Sequence, residues 1–153
     1  MSLYLVQHGK SHSKEADPER GLTDEGRAEV ERIASVANDY RVMVSIIFHS
    51  GKKRALQTAR IFAEKLGPGI SVEEHPGTDP NDDVVHFAER LDATGNRMYV
   101  GHLPFMEKLV SHLITGSVEK PVFKFQNGGI VCLDIYPGTV RWVIKWALMP
   151  HIN

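Results

Sequence analysis

Apolar residues along this chain fall into two alternating patterns. Leu3-Tyr4-Leu5-Val6, Val44-Ser45-Ile46-Ile47-Phe48 and Met98-Tyr99-Val100 are short, nearly continuous runs, the pattern of strands buried on both faces. Between and after them the spacing changes to one stripe of a 3.6-residue period. Val30, Ile33, Ala34 and Ala37 form one such stripe, and Ala55, Ala59, Phe62, Ala63 and Leu66 a second. Val84, Phe87, Ala88 and Leu91 form a third, and Met106, Leu109, Val110 and Leu113 a fourth. Each predicts a helix with one inward face.

Boundary residues support these elements. Thr23 before Asp24-Glu25 suits a helix start, and Gly67-Pro68-Gly69 a helix stop. Asp79-Pro80 is expected to open the third helix, and Pro104 stands where a first-turn proline is favoured. Ile130 to Tyr136 and Thr139 to Trp146 read as a hairpin around Pro137-Gly138, a pair suited to the centre of a type II turn. Val140, Trp142, Ile144 and Trp146 are expected on one face of its second strand, with both tryptophans in the core. Strands alternating with helices imply a three-layer α/β/α fold, its sheet mostly parallel and covered on both faces, with the hairpin adding an antiparallel part.

At 153 residues and 42% hydrophobic content, the chain is expected to form a single domain over residues 1–153. A net charge of -1 provides no global field for nucleic acid or an acidic membrane surface, so an anion must be held by local positive charge. The one cysteine, Cys132, excludes a disulfide framework and thiolate-rich zinc sites. His12, His49, His75, His86, His112 and His151 show no metal-ligand spacing, so no metal or other cofactor is expected. Without a leader pattern or a long apolar run, the expected location is cytoplasmic.

The chemistry concentrates where strands end. Gln7-His8-Gly9, His49-Ser50 with Arg54 one helical turn on, and Gly101-His102 each follow an apolar run, and parallel strands would bring all three to one edge, where α/β sheets bind ligands. Lys10, Lys52, Lys53 and two helix amino termini would add to a site fit for a phosphoryl group. Arginine clamps phosphate oxygens in a bidentate manner, and a neutral imidazole is a nucleophile able to form a covalent phosphoryl intermediate. Lys14 to Arg20 reads as a solvated surface.

These blocks, in this order, resemble the histidine phosphatase superfamily, of phosphoglycerate mutase-like fold, and most of all its short SixA-type phosphohistidine phosphatase branch. "QHGKS" resembles the family's Arg-His-Gly signature, "GLTDEG" its Leu-Thr-x-x-Gly helix start, and "HSGKKRALQTA" its Ser-x-x-x-Arg-Ala-x-Gln-Thr-Ala block. "VGHLP" resembles the second-histidine motif and "WALMP" the terminal strand. The resemblance implies His8 as the phosphorylated nucleophile, His102 as a second pocket histidine, and Arg54 as a phosphate clamp. Gln7, Gly9, Ser50 and Lys10 would line the substrate site.

Gln7 is the departure, since the signature has arginine there. Glutamine keeps a neutral donor but loses the charge and the fork, a penalty on the order of 3 kcal/mol or a hundredfold in rate. Lysines nearby would restore charge only as point charges. A phosphate ester needs a proton donor for its alkoxide, whereas phosphohistidine expels a far better leaving group. Asp79 is the candidate acid, set against its reading as part of a helix start with Asp82 three residues on. The resemblance therefore implies a metal-independent phosphatase acting on a phosphohistidine-bearing protein such as a phosphorelay domain, for which the absence of a lid-sized insertion leaves an open pocket. Two rivals stand beside it: a non-catalytic module binding phosphate or phosphoprotein, and a phosphatase of small phosphate esters.

Overall fold

The computed structural model describes residues 1–152. Its elements are β1 (Leu3–Gln7), α1 (Asp24–Asp39), β2 (Ile46–His49), α2 (Lys53–Leu66), β3 (Ser71–Glu74), α3 (Val84–Glu89), β4 (Arg97–Gly101), α4 (Phe105–Thr115), β5 (Ile130–Ile135) and β6 (Trp142–Leu148). Six strands form one sheet in the order β3-β2-β4-β1-β5-β6. The first four in that order are mutually parallel, and β5 and β6 are antiparallel additions.

Alternation along β1 divides the core. Tyr4 and Val6 point into a cluster with Val30, Ile33 and Ala34 of α1 and Ala55, Ala59 and Phe62 of α2. Leu3 and Leu5 point the other way, onto Phe87 of α3 and Phe105, Met106, Leu109 and Val110 of α4. Every residue of β1 is buried, as a central strand between two helical layers must be. Each fully buried large side chain contributes about 1.5–3 kcal/mol, so the alternation fixes register: a one-residue slip would exchange both faces at once. Thr23 caps α1 as expected, its hydroxyl accepting from the Gly26 N–H at 2.9 Å. Gly138 adopts a positive φ of 75°, and the Thr139 N–H donates to the Tyr136 carbonyl at 3.0 Å, consistent with the expected turn.

Three expectations are corrected. β3 has no counterpart in the pattern because Ser71-Val72-Glu73-Glu74 is an exposed edge strand with little to bury, and its glutamates discourage further pairing. α3 starts at Val84, not after Asp79-Pro80; Asp83 is its cap, accepting from the His86 N–H at 3.0 Å. Asp82 instead accepts from the Asp79 N–H at 2.8 Å in the preceding turn. Finally, a register shift between Cys132 and Leu133 interrupts the β5–β6 ladder. It sends Trp146 to the α1/α2 face, against Tyr4, and Trp142 to the α3/α4 face. Val140, outside the strand, is exposed.

Candidate active site

β1, β2 and β4 end at one edge of the sheet, and their registers bring their last residues together: Gln7 lies opposite Gly101, and His49 opposite Val100. His8 and His102 follow directly, with ring centroids 5.0 Å apart. Both are buried, His102 almost completely.

His8 is held from several sides. Its N–H donates to the Gly101 carbonyl at 2.9 Å, while its own carbonyl accepts from Asn127 Nδ2 at 3.1 Å. Nδ1 lies 2.7 Å from the Gly9 carbonyl. A carbonyl only accepts, so Nδ1 carries the hydrogen and Nε2 keeps its lone pair. Arg54 Nε donates to that Nε2 at 3.3 Å, leaving both Nη groups of Arg54 without a partner among the described residues. Burial lowers the pKa of His8 to about 4, against the upward pull of the Gly9 carbonyl and with a further downward push from Arg54 and Arg20. The ring is therefore neutral at pH 7.

His102 is held differently. Its Nε2 lies 2.6 Å from the Ser50 hydroxyl, and its Nδ1 is sealed from solvent with no partner. Burial, then the proximity of His8, Arg54, Lys52 and Arg20, lowers its pKa to about 3. Two imidazoles and the charges of Arg54, Lys52 and Arg20 act on one another here, an arrangement complementary to a multiply charged anion.

The remaining sequence candidates fall into place unevenly. Gln7 is buried beside both histidines, its Oε1 without a partner. Ser50 orients His102, and its hydroxyl also accepts from the Lys52 N–H at 3.4 Å, just before α2. Gly9, expected to line the substrate site, gives its N–H to Thr58 Oγ1 at 2.9 Å, and Thr58 in turn donates to the Arg54 carbonyl at 2.8 Å. Gly9 matters through space: a Cβ there would come within 2.7 Å of Val30 Cγ2. Lys10 was expected at the pocket, but its Nζ pairs with Glu25 at 2.6 Å at the start of α1. Asp79 lies at the site's edge, with Oδ1 3.9 Å from Lys52 Nζ, close enough to Arg54 to favour its charged form. Among the described residues no group of three or more His, Cys, Asp or Glu could hold a metal ion, and no helix is long and apolar enough to cross a membrane.

Sequence reasoning missed four contributors. Thr58 and Gln57 brace the site, Gln57 Oε1 accepting from the Leu22 N–H at 2.7 Å. Both lie in "RALQTA", where a polar pair interrupts an otherwise apolar helix face, a signal that was available. Asn127, in the turn before β5, had no signal. Arg20 was read as solvated surface, yet its charge reaches His8, Arg54 and His102.

Known proteins share this architecture. The protein histidine phosphatase SixA, in a complex with tungstate, superposes with a TM-score of 0.84 at 24% identity, covering 98% of this chain and 97% of that one. A candidate phosphohistidine phosphatase SixA from Agrobacterium tumefaciens superposes with a TM-score of 0.78 at 27% identity over 97% of both chains. The alpha-ribazole phosphatase from Shigella flexneri shares the fold at 17% identity, with a TM-score of 0.77 over 100% of this chain and 98% of that one. No curated protein sequence matches the chain. The model of the histidine phosphatase superfamily (branch 1) matches residues 3–79, the segment carrying β1, the α1 start and the Arg54 helix; the chain belongs to the histidine phosphatase superfamily.

Proposed function

We propose that this protein is a phosphohistidine phosphatase working through a phosphorylated His8, on a phosphohistidine displayed by another protein. The observation that carries this reading is the state of the His8 ring: Nδ1 is committed to the Gly9 carbonyl, so the lone pair is on Nε2, where it accepts from Arg54 Nε at 3.3 Å. A neutral, oriented imidazole next to a guanidinium whose Nη groups are unpartnered is what a nucleophile toward phosphorus requires.

In this reading, His8 Nε2 forms a bond to phosphorus as the bond to the substrate's imidazole breaks, and that imidazole takes a proton from water. Arg54 Nη groups, the Gln7 amide and His102 hold the equatorial oxygens while charge builds on them. Water then attacks the phosphorus, its proton passes to solvent, and inorganic phosphate leaves with the His8 lone pair restored. None of these steps needs a strong acid, because imidazole is a good leaving group. Substrate preference for P–N over P–O bonds follows from that, and the similarity to SixA proteins supports it.

Small phosphate esters are the second reading, favoured by one observation, the placement of Asp79 next to Lys52 at the edge of the site. Single-turnover reactions with a phosphohistidine peptide and with an alkyl phosphate such as glycerol 3-phosphate, without added metal, separate the two. Acid-labile, alkali-stable phosphoenzyme and phosphate release from the peptide, rising in Gln7→Arg, are expected. Faster turnover of the ester, lost in Asp79→Asn, would replace the first reading with the second. Tight phosphate binding without phosphoenzyme from either substrate would leave a binding module.

A further inference from the structure

We propose that Arg20 is the second guanidinium of the phosphoryl pocket, delivered by the loop after β1 to serve a site whose position 7 carries no charge. This rests on the phosphoryl site described above and adds a ligand to it.

The loop spanning residues 11–22 is built and fastened. Ser11 and Leu22 form an isolated antiparallel bridge, and the His12 N–H donates to the Gly21 carbonyl at 2.9 Å. At its tip the Asp17 carboxylate accepts from the N–H groups of Glu19, at 3.1 Å, and Gly21, at 2.8 Å. Two further ties fix the loop to α2. Glu19 pairs with Lys53 at 2.9 Å, and the Leu22 N–H donates to Gln57 at 2.7 Å. Gly21 packs so closely there that a Cβ would sit 3.2 Å from Lys53 Cε. Residues on both sides of Arg20 are thus bound to residues on both sides of Arg54.

The side chain itself is uncommitted where it counts. Arg20 Nε donates to the His12 carbonyl at 3.3 Å, so its two Nη groups have no partner among the described residues, and neither does any carboxylate pair with Arg20 or Arg54 there. Arg20 also holds a left-handed φ of 54°, a conformation that costs a non-glycine residue free energy and recurs at functional sites. Two guanidinium charges within electrostatic reach of each other, neither in a salt bridge among the described residues, repel until an anion arrives. The electrostatics agree: Arg20 is among the charges that disfavour protonation of His8 and His102, and it disfavours the charged form of Arg54. A phosphoryl group between the two arginines converts that repulsion into two charge-assisted contacts.

The test is titration of the full chain with inorganic phosphate at fixed ionic strength, for wild type, Arg20→Ala, Arg20→Lys, Arg54→Ala, Gln7→Arg and the Arg20→Ala/Gln7→Arg double variant. Lys14→Ala, an exposed cation of the same loop, reports any diffuse field. Arg20→Ala is expected to weaken phosphate about ten- to hundredfold, Arg20→Lys to recover only part of that, and Gln7→Arg to restore the Arg20→Ala chain to near wild type. Lys14→Ala should stay within about twofold. Affinity of Arg20→Ala within twofold of wild type, an equal loss in Lys14→Ala, or no phosphate binding by the wild type would each overturn the proposal. Circular dichroism of each variant separates lost binding from lost folding, with Arg20→Lys retaining the loop's cation if Arg20→Ala unfolds. Binding is read without turnover, so Arg20-dependent affinity with no phosphoenzyme would keep this assignment and remove the catalytic one. Normal phosphoenzyme formation and affinity in Arg20→Ala would do the reverse.

Discussion

The ends of β1 and β4 each deliver one histidine to the same pocket, and the two are held in opposite ways. His8 is fixed at Nδ1 by the carbonyl of its own neighbour, leaving the lone pair on Nε2, where it accepts from Arg54 Nε. His102 is engaged at Nε2 by the Ser50 hydroxyl, with Nδ1 sealed and unpartnered. Identical side chains on neighbouring parallel strands therefore have different chemistry available: one keeps a lone pair that can attack, the other is a dipole oriented by a second residue. The third strand-end histidine sharpens the contrast. His49 Nδ1 accepts from the Gly51 N–H at 3.0 Å and serves the turn into α2 rather than the pocket. Position at a strand end is not enough; the partner of each ring nitrogen decides the role.

Removing the His8 lone pair should have the largest effect. His8→Ala is expected to abolish phosphoenzyme and to lower single-turnover release by about 10⁴-fold or more, as loss of a covalent nucleophile does. Rapid-quench trapping measures it, and residual phosphoenzyme in that variant would move the nucleophile elsewhere, most directly to His102. His102→Ala should keep a detectable phosphoenzyme while slowing its formation roughly 10²–10³-fold, the scale of losing one transition-state donor. Equal losses in the two variants, with phosphoenzyme absent from both, would erase the distinction drawn between the rings.

How much of this was legible in the sequence depends on what each part is made of. β1, β2 and β4 stood out because a strand buried on both faces must be an apolar run, and their polar ends therefore marked the edge. β3 did not, since Ser71 to Glu74 bury almost nothing. Trp142 and Trp146 were assigned one face because alternation assumes an unbroken ladder, and a register shift is invisible to it. Lys10 was placed by proximity to His8, but the chain turns there: Gly26 packs on the Lys10 backbone, a Cβ at Gly26 lying 2.1 Å from the Lys10 carbonyl oxygen, and this carries the side chain to Glu25. Arg20 was hidden because its loop is organised by side-chain-to-backbone bonds at Asp17, which have no period to detect.

A smaller effect concerns stability against pH. Both rings are buried neutral, with His8 lowered from 6.5 to about 4 and His102 to about 3. The unfolded chain takes up their protons first, so the stability they contribute is complete above about pH 6.5 and declines as pH falls toward 4. For His8 alone the loss is on the order of 3 kcal/mol. Urea midpoints measured from pH 7.5 to pH 4 should fall, and the slope should flatten in His8→Ala and in His102→Ala. An unchanged slope in both variants would mean that the rings are not neutral by burial. Catalysis should hold on the acid side until His8 itself protonates near pH 4, in kcat/KM for the free enzyme.

The smallest difference lies in the glycines that flank the two histidines. A Cβ on Gly9 would meet Val30 Cγ2 at 2.7 Å, Leu22 Cδ2 at 3.1 Å and the Gly26 carbonyl oxygen at 3.3 Å, and Val30 is a fully buried, β-branched residue in a helix with little freedom to move. On Gly101 the only close approach is 2.5 Å to Met106 Cε, the end of a flexible side chain. Gly9→Ala is therefore expected to cost about 1–3 kcal/mol and Gly101→Ala less than about 1 kcal/mol, read as urea midpoints at pH 7.5. Because Gly9 also supplies the carbonyl that fixes His8 Nδ1, its variant should lose phosphoenzyme formation beyond what its stability predicts. Equal costs at the two glycines, or a stable Gly9→Ala chain of full activity, would show that the β1 end is no more rigid than the β4 end. A rigid β1 end and a yielding β4 end would place the nucleophile on the part of the pocket that cannot shift.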